Sequence, residues 1–217
     1  MNGHAFEFHG ARLVLLPSGA LWWPDEALLC LSDMHLARSE RFARNAGALL
    51  PPYETRDTLH RLEADMAQTG PRTIVCLGDS FDDSVAAAGL DEDARAWLLR
   101  LQAGRRWIWI EGNHDPGPID LGGSHHAAYA RGPLTFRHIA AAGARGEISG
   151  HYHPKAKVPR GRARPAMLYD SVRVILPAYG TYTGGLHSHD AALTGLMEPG
   201  ALAVMTGQPP IVLPMPR

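Results

Sequence analysis

Five short apolar runs break off at Asp, Asn or His: LLCLSD, TIVCLGD, RWIWIEGNHD, PLTFRH and GEISGH. A sixth, VRVILPAYG, ends in a glycine turn. Runs of this length, rich in Val, Ile and Leu and bounded by glycine or polar residues, read as strands. Between the early ones lie two stretches with helical spacing, Leu59, Leu62 and Met66, then Ala94, Trp97, Leu98 and Leu101. Strands alternating with helices predict an α/β layered fold. Near the start, FEFHGARLVLLPSGALWWP predicts a hairpin turning at Ser18-Gly19, so some antiparallel pairing is expected. In open α/β sheets the loops after the carboxyl ends of strands form the ligand crevice. Asp33, His35, Asp79, Asn113, His114, Asp115, His138, His151 and His153 should therefore converge, although they are far apart in sequence. Any one of them is ordinary turn chemistry. Five such strand ends in series are not explained that way.

As ligands, these residues supply carboxylate oxygen, amide oxygen and imidazole nitrogen without thiolate. That mixture suits Mn²⁺, Fe or catalytic Zn²⁺ and disfavours Ca²⁺, which takes all-oxygen cages. Apart from His114 and Asp115, seven ligands remain, more than one ion takes, which implies a pair about 3.5–4 Å apart sharing a carboxylate. Two carboxylates leave two divalent cations under-neutralised, so the site should attract a phosphate and acidify a bound water. Hydrolysis of a phosphoester is the natural use.

In order, SDMHLARSE, CLGDSFDD, EGNHDP, FRH and SGHYHP resemble the five motifs of the calcineurin-like metallophosphoesterases, D-x-H, GD, GNH[DE], H and GHxH. The resemblance covers roughly residues 28–154 and implies a sandwich of two mixed β-sheets flanked by helices, with a dinuclear metal site at the strand C-terminal loops. It assigns Asp33, His35 and His153 to one metal, and Asn113, His138 and His151 to the other, with Asp79 bridging. It implies that His114 touches the substrate, with Asp115 as its carboxylate partner raising its pKa and fixing the ring. LPAYGTYTGG at 176–185 further resembles a bacterial branch often encoded with a DNA ligase, an exonuclease and an Lhr-type helicase. That branch implies a Mn²⁺-dependent single-stranded DNA endonuclease linked to DNA repair.

Three departures from the family pattern occur. Ala37-Arg38 stands where the branch has Gly-Lys, Ser80 follows Asp79 in place of an apolar residue, and no Glu-Pro follows His138. For that last ligand, His125 and His126 in GGSHH are rivals. His138 is preferred because PLTF is a credible strand leading to it, whereas GGSHH reads as loop. The pair His187 and His189 mimics H-x-H and is expected to be a surface loop.

Charge bears on the substrate. Nine basic and two acidic residues between Arg131 and Arg173 give +7 there, although the whole chain carries −1. Lys155, Lys157, Arg160, Arg162 and Arg164 follow directly on the paired histidines, and Lys157, Arg160 and Arg162 are candidate contacts for a polynucleotide. A solvated loop beside a hydrolase of small phosphoesters, such as 2′,3′-cyclic nucleotides, is the competing expectation. A module that has lost its chemistry is disfavoured, since every ligand type is present.

With 217 residues and 45% apolar content, a single domain over 1–217 is expected. Cys30 and Cys76, each inside an apolar run, should be buried thiols. MNGHAFEFHG lacks the basic and apolar regions of a signal peptide, and no run is long enough to span a bilayer, so a cytoplasmic location without a membrane partner is expected.

Overall fold

The computed structural model describes residues 2–39, 53–83, 89–116 and 120–215. The first sheet has seven strands in chain order: β1 (His4–Phe8), β2 (Ala11–Leu15), β3 (Leu21–Trp23), β4 (Leu28–Leu31), β5 (Thr73–Leu77), β6 (Arg106–Ile110) and β7 (Ser124–His126). Strands β1 to β4 pair antiparallel, and β4 to β7 pair parallel. The predicted opening hairpin is a three-strand meander. Ser18-Gly19 does turn β2 into β3, but His9 and Gly10, at φ 48° and 78°, add an earlier tight turn that divides FEFHGARLVLL. Successive positive φ values are the geometry that joins adjacent twisted strands with a two-residue loop.

Two helices, α1 (Glu54–Thr69) and α2 (Glu92–Gln102), follow β4 and β5. They bury the stripes expected from their spacing: Leu59, Leu62 and Met66 in α1, and Ala94, Leu98 and Leu101 in α2. Strands β4, β5 and β6 are buried on both faces, which is why they read as continuous apolar runs. Leu29, Leu31, Ile74, Cys76, Trp107 and Trp109 meet the helices. The alternate residues Cys30, Val75, Leu77, Ile108 and Ile110 face the second sheet. Both cysteines are buried and free.

The second sheet comprises β8 (Ala128–Arg131), β9 (Leu134–Arg137), β10 (Glu147–Ser149), β12 (Arg164–Tyr169), β13 (Arg173–Ile175), β14 (Leu202–Met205) and β15 (Ile211–Pro214), in the order β15-β14-β12-β13-β10-β9-β8. A short strand, β11 (Lys155–Ala156), pairs with β12 alone. Strands β9, β10 and β13 run parallel and the rest antiparallel, so this sheet is mixed like the first. The core between the sheets joins Phe8, Leu13 and Ile108 to Phe136, Ile148, Met167 and Val174. Beyond the second sheet, Leu193 of the short helix α3 (Ala191–Thr194) packs with Met197, Leu168 and Met205. This is the layered sandwich expected from the sequence. No helix among the described residues is long and apolar enough to cross a membrane.

Candidate metal centre

The parallel strands of both sheets deliver their carboxyl ends to one edge of the sandwich. Strand β4 leads to Asp33 and His35, β5 to Asp79, β6 to Asn113, His114 and Asp115, β9 to His138, and β10 to His151 and His153. These loops are sewn together through backbone. Asp33 N donates to Gly78 O (3.3 Å), His35 N to Asp79 O (2.9 Å) and Gly150 N to His138 O (2.9 Å). Such close approach excludes a side chain at Gly150, where a Cβ would collide with Ser32 Oγ. Asp33, His35, Asp79, His151 and His153, five of the seven candidate ligands, have φ between 45° and 69°. Left-handed non-glycine residues are uncommon, and several in one place mark a site whose geometry the surrounding structure imposes. No sequence pattern announced this.

The side chains fall into two groups, Asp33, His35 and His153 in one, and Asp79, His138 and His151 in the other. That division matches the one implied by the family motifs. In the first, Asp33 Oδ1 lies 3.1 Å from His153 Nε2, and the Nε2 atoms of His35 and His153 are 3.4 Å apart. In the second, His138 Nε2 is 3.2 Å from His151 Nδ1, 3.4 Å from Asp79 Oδ2 and 2.9 Å from Asn113 Oδ1. His138 is thus placed where the preferred assignment needs it. His126 is exposed, bonded to Ser124 Oγ, and His125 stacks on Trp109. GGSHH is nevertheless not the loop expected: Ser124–His126 form edge strand β7 beside β6. His187 and His189 are exposed and stacked on each other, outside both groups.

The donor set fits metal ions on its own geometry. His138 Nδ1 donates to Leu77 O (2.7 Å), and His35 Nδ1 faces Asp82 Oδ1 (2.9 Å), which turns each Nε2 inward as the ligating atom. Each carboxylate is half committed to the protein. Asp33 Oδ2 accepts from the Ser32 hydroxyl and from His151 N (2.9 Å), and Asp79 Oδ1 accepts from His114 N (2.9 Å), leaving the other oxygens facing imidazoles. Burial alone would raise Asp79, but the hydrogen bond and charge of His138, with the His114 N–H, hold it at about 2. Asp33 is also lowered: burial opposes this, and the bond and charge of His153 outweigh it. Burial and the charge of His138 lower His151. His138 is raised despite its burial, by Asp79 and Asp33. Ionised carboxylates around inward imidazoles make a pocket that holds positive charge.

His114 stands at the rim, half-buried, with Nδ1 donating to Asp82 O (3.0 Å) and Nε2 4.0 Å from Asp79 Oδ2. Asp115 is not its ring partner. The buried Asp115 carboxylate accepts backbone N–H groups from Gly112 (3.1 Å), Asp79 (2.9 Å), Ser80 (2.7 Å) and Phe81 (3.3 Å). It clasps the loop after β5 to the loop after β6. Burial and the nearby Asp79 charge raise it to about 6 against those bonds. The residue that sequence reasoning missed is Asp82, whose side chain meets His35 Nδ1 and Arg38 Nη1, each at 2.9 Å. The only prior signal was a doubled Asp after GDSF.

The basic segment is a hairpin. Lys155 pairs with Pro165 and Ala156 with Arg164, while further along β12, Leu168 pairs with Ile175, itself level with Ser149. Residues 155–165 therefore overhang the edge where β10 delivers His151 and His153, displaced sideways by two strand spacings, about 10 Å. Lys157, Arg160 and Arg162 are exposed on it. Lys155 and Arg164 are half-buried, with Lys155 Nζ on Thr183 O at 3.2 Å.

A family model for calcineurin-like phosphoesterases matches residues 27–185, a span containing every candidate ligand. No curated protein matches the chain. Among solved structures, the crystal structure of Pseudomonas putida nuclease MPE superposes with a TM-score of 0.77, covering 98% of this chain and 100% of that one at 22% identity. At that identity the likeness speaks for the fold.

Proposed function

The chain belongs to the calcineurin-like phosphoesterases and is a metal-dependent phosphoesterase, and from that premise we propose that it is a Mn²⁺-dependent phosphodiesterase cutting single-stranded nucleic acid, DNA above all. The observation that carries the substrate class is the overhanging hairpin, whose exposed Lys157, Arg160 and Arg162 stand beside the metal edge with no carboxylate partner among the described residues. A polynucleotide presents flanking phosphates to them, and a small phosphoester does not. The structural neighbour's description as a nuclease supports the same direction.

Asp33, His35 and His153 would hold one ion, and Asp79, Asn113, His138 and His151 the other, with Asp79 shared. When bound, such ions acidify a water and neutralise phosphoryl oxygens. The rest falls to the chain. His114 Nδ1 is committed to Asp82 O, so the proton it would exchange is the one on Nε2, which lies on the Asp79 side of the ring. There it protonates the leaving oxygen or stabilises its charge. Because both sheets supply candidate ligands, we propose that the chain works as a single catalytic domain. DNA repair, in functional association with a ligase, an exonuclease and a helicase, is the setting implied by the LPAYGTYTGG resemblance.

The test is cleavage of single-stranded DNA, duplex DNA, RNA and a 2′,3′-cyclic nucleotide with Mn²⁺, repeated on a Lys157/Arg160/Arg162 triple alanine variant across a salt series. The expected result is strand cleavage that weakens strongly in the variant, with a flatter salt dependence, a little under one unit of log–log slope per lost phosphate contact. Unchanged cleavage at every salt concentration would return the hairpin to a solvated loop and favour the small-phosphoester alternative.

A further inference from the structure

Resting on the single-strand reading above, we propose that Tyr53 and Tyr182 form a base-stacking platform beside the metal centre, which holds an unpaired nucleobase of the strand being cut. Both tyrosines are unusual in this molecule for being large, apolar and uncovered, 57% and 37% exposed. Their rings lie together, centroids 6.1 Å apart and tilted by 56°. The two phenols, side by side, raise Tyr182 to about 12.

Position connects the pair to the chemistry. Tyr182 lies within a short span between Gly180 and Gly185, and both ends of that span press on candidate ligands. Gly180 N donates to Asp33 O (3.1 Å), and a Cβ on Gly180 would collide with Met34 O. A Cβ on Gly185 would collide with His153 O. Tyr182 is therefore held two or three residues from backbone that touches Asp33 and His153, within about 10 Å along the chain. Its backbone is left-handed, φ 63°, a conformation that a bulky residue adopts only when its surroundings impose it.

The segment is anchored firmly. Arg61 of α1 donates from Nη1 to Tyr179 O (2.6 Å) and from Nη2 to Thr181 Oγ1 (2.7 Å), and the Tyr179 hydroxyl donates to Asp65 Oδ2 (2.8 Å). On its other side Thr183 O takes the Lys155 ammonium, where the basic hairpin begins. The segment that carries Tyr182 is thus tied to the start of the basic hairpin on one side and to the backbone of Asp33 on the other. That combination suits a single strand, in which phosphates meet the cations while an unpaired base finds a π-face. A duplex keeps its bases stacked inside and offers none.

The experiment measures cleavage of an intact DNA strand and of strands each carrying one abasic position, stepped outward from the cut. Wild type, Tyr53→Ala, Tyr182→Ala and Tyr182→Phe are compared. With the platform, each alanine variant cuts the intact strand about tenfold or more slowly, the loss of one stacked base. Tyr182→Phe, which keeps the ring, stays near wild type. At one abasic position wild type itself slows by a similar factor, and the alanine variants slow no further. The platform is refuted by an alanine variant that cuts the intact strand at the wild-type rate. It is equally refuted by one that loses the same factor on every strand, abasic ones included, which is the mark of a damaged site. A wild-type protein that hydrolyses bis-p-nitrophenyl phosphate but leaves all strands uncut would overturn the nucleic-acid reading itself, and the platform with it.

Discussion

Asp82 Oδ1 lies 2.9 Å from His35 Nδ1, with both side chains almost wholly buried, and this contact decides which nitrogen of His35 faces the centre. A carboxylate on Nδ1 fixes the tautomer, orients the ring and makes Nε2 a better donor. Arg38 Nη1 shares the same oxygen at 2.9 Å and so helps hold Asp82 in place.

Asp82→Ala should therefore weaken metal binding about 10- to 100-fold, the usual effect of losing such an outer carboxylate. Asp82→Asn, which keeps the shape of the side chain but removes its charge from beside Nδ1, should fall between. Calorimetric titration with Mn²⁺ of the metal-free variants checks both. Equal affinities for all three proteins would show that His35 is oriented without Asp82.

For Asp115 the expectation is structural. Its carboxylate takes four backbone N–H groups, three of them in buried bonds, and each of those left unpaired costs about 1–3 kcal/mol. Some would rebond to water, so Asp115→Ala should lose about 3–5 kcal/mol of stability by denaturant titration. A variant of unchanged stability that lost only turnover would restore Asp115 to a role beside His114.

Most strands, the two longer helices and the convergence of seven candidate ligands were legible because each leaves a local mark, an apolar run, a helical period, or a polar residue where a run stops. Asp115 and Asp82 were not. GNHD and GDSFDD say that carboxylates are present, but which backbone or ring each one meets depends on loops that the chain brings together from 30 or more residues apart, as in the Asp79–Asp115 bond. Strand β7 escaped notice because GGSHH lacks the apolar character of a strand. It pairs at an edge, where its backbone hydrogen bonds with β6 replace side-chain burial. The Tyr53–Tyr182 contact joins residues far apart in sequence and could not be read from either alone.

Gly150→Ala should damage the centre although residue 150 is no ligand. The added Cβ would collide with Ser32 Oγ and lie 2.5 Å from Asp33 Oδ2, the oxygen that also receives His151 N. Pushing these apart displaces a ligand from each group at once. The expected outcome is loss of both metals by elemental analysis and a stability loss of about 1–3 kcal/mol from overpacking. Full metal content with wild-type activity would mean that the loops yield more easily than their backbone bonds imply.

Chelation should abolish activity, and Mn²⁺ should restore it better than Mg²⁺ or Ca²⁺. Four of the seven candidate ligands are imidazoles, while Mg²⁺ prefers oxygen and keeps its waters. Rates measured after exhaustive EDTA treatment and single-metal readdition decide this. Full activity in excess chelator would rule out the metal mechanism.

Asp79 and His114 sit 4.0 Å apart, yet their alanine variants should fail differently. Asp79 is assigned to both ions, so Asp79→Ala leaves two cations repelling each other without the carboxylate between them, and metal should be lost together with rate. His114 reaches the centre only from the rim, so His114→Ala should keep both metals and lose rate by roughly 10²–10⁴, the range for a positioned acid or base. Metal content and turnover measured on the same preparations separate the roles. If Asp79→Ala still held two ions per chain at wild-type affinity, the bridging assignment would be wrong. If His114→Ala lost metal, its backbone N–H to Asp79 Oδ1 would have to be disturbed as well, and a His114→Gln variant that kept the metals but not the rate would place the chemistry on the ring.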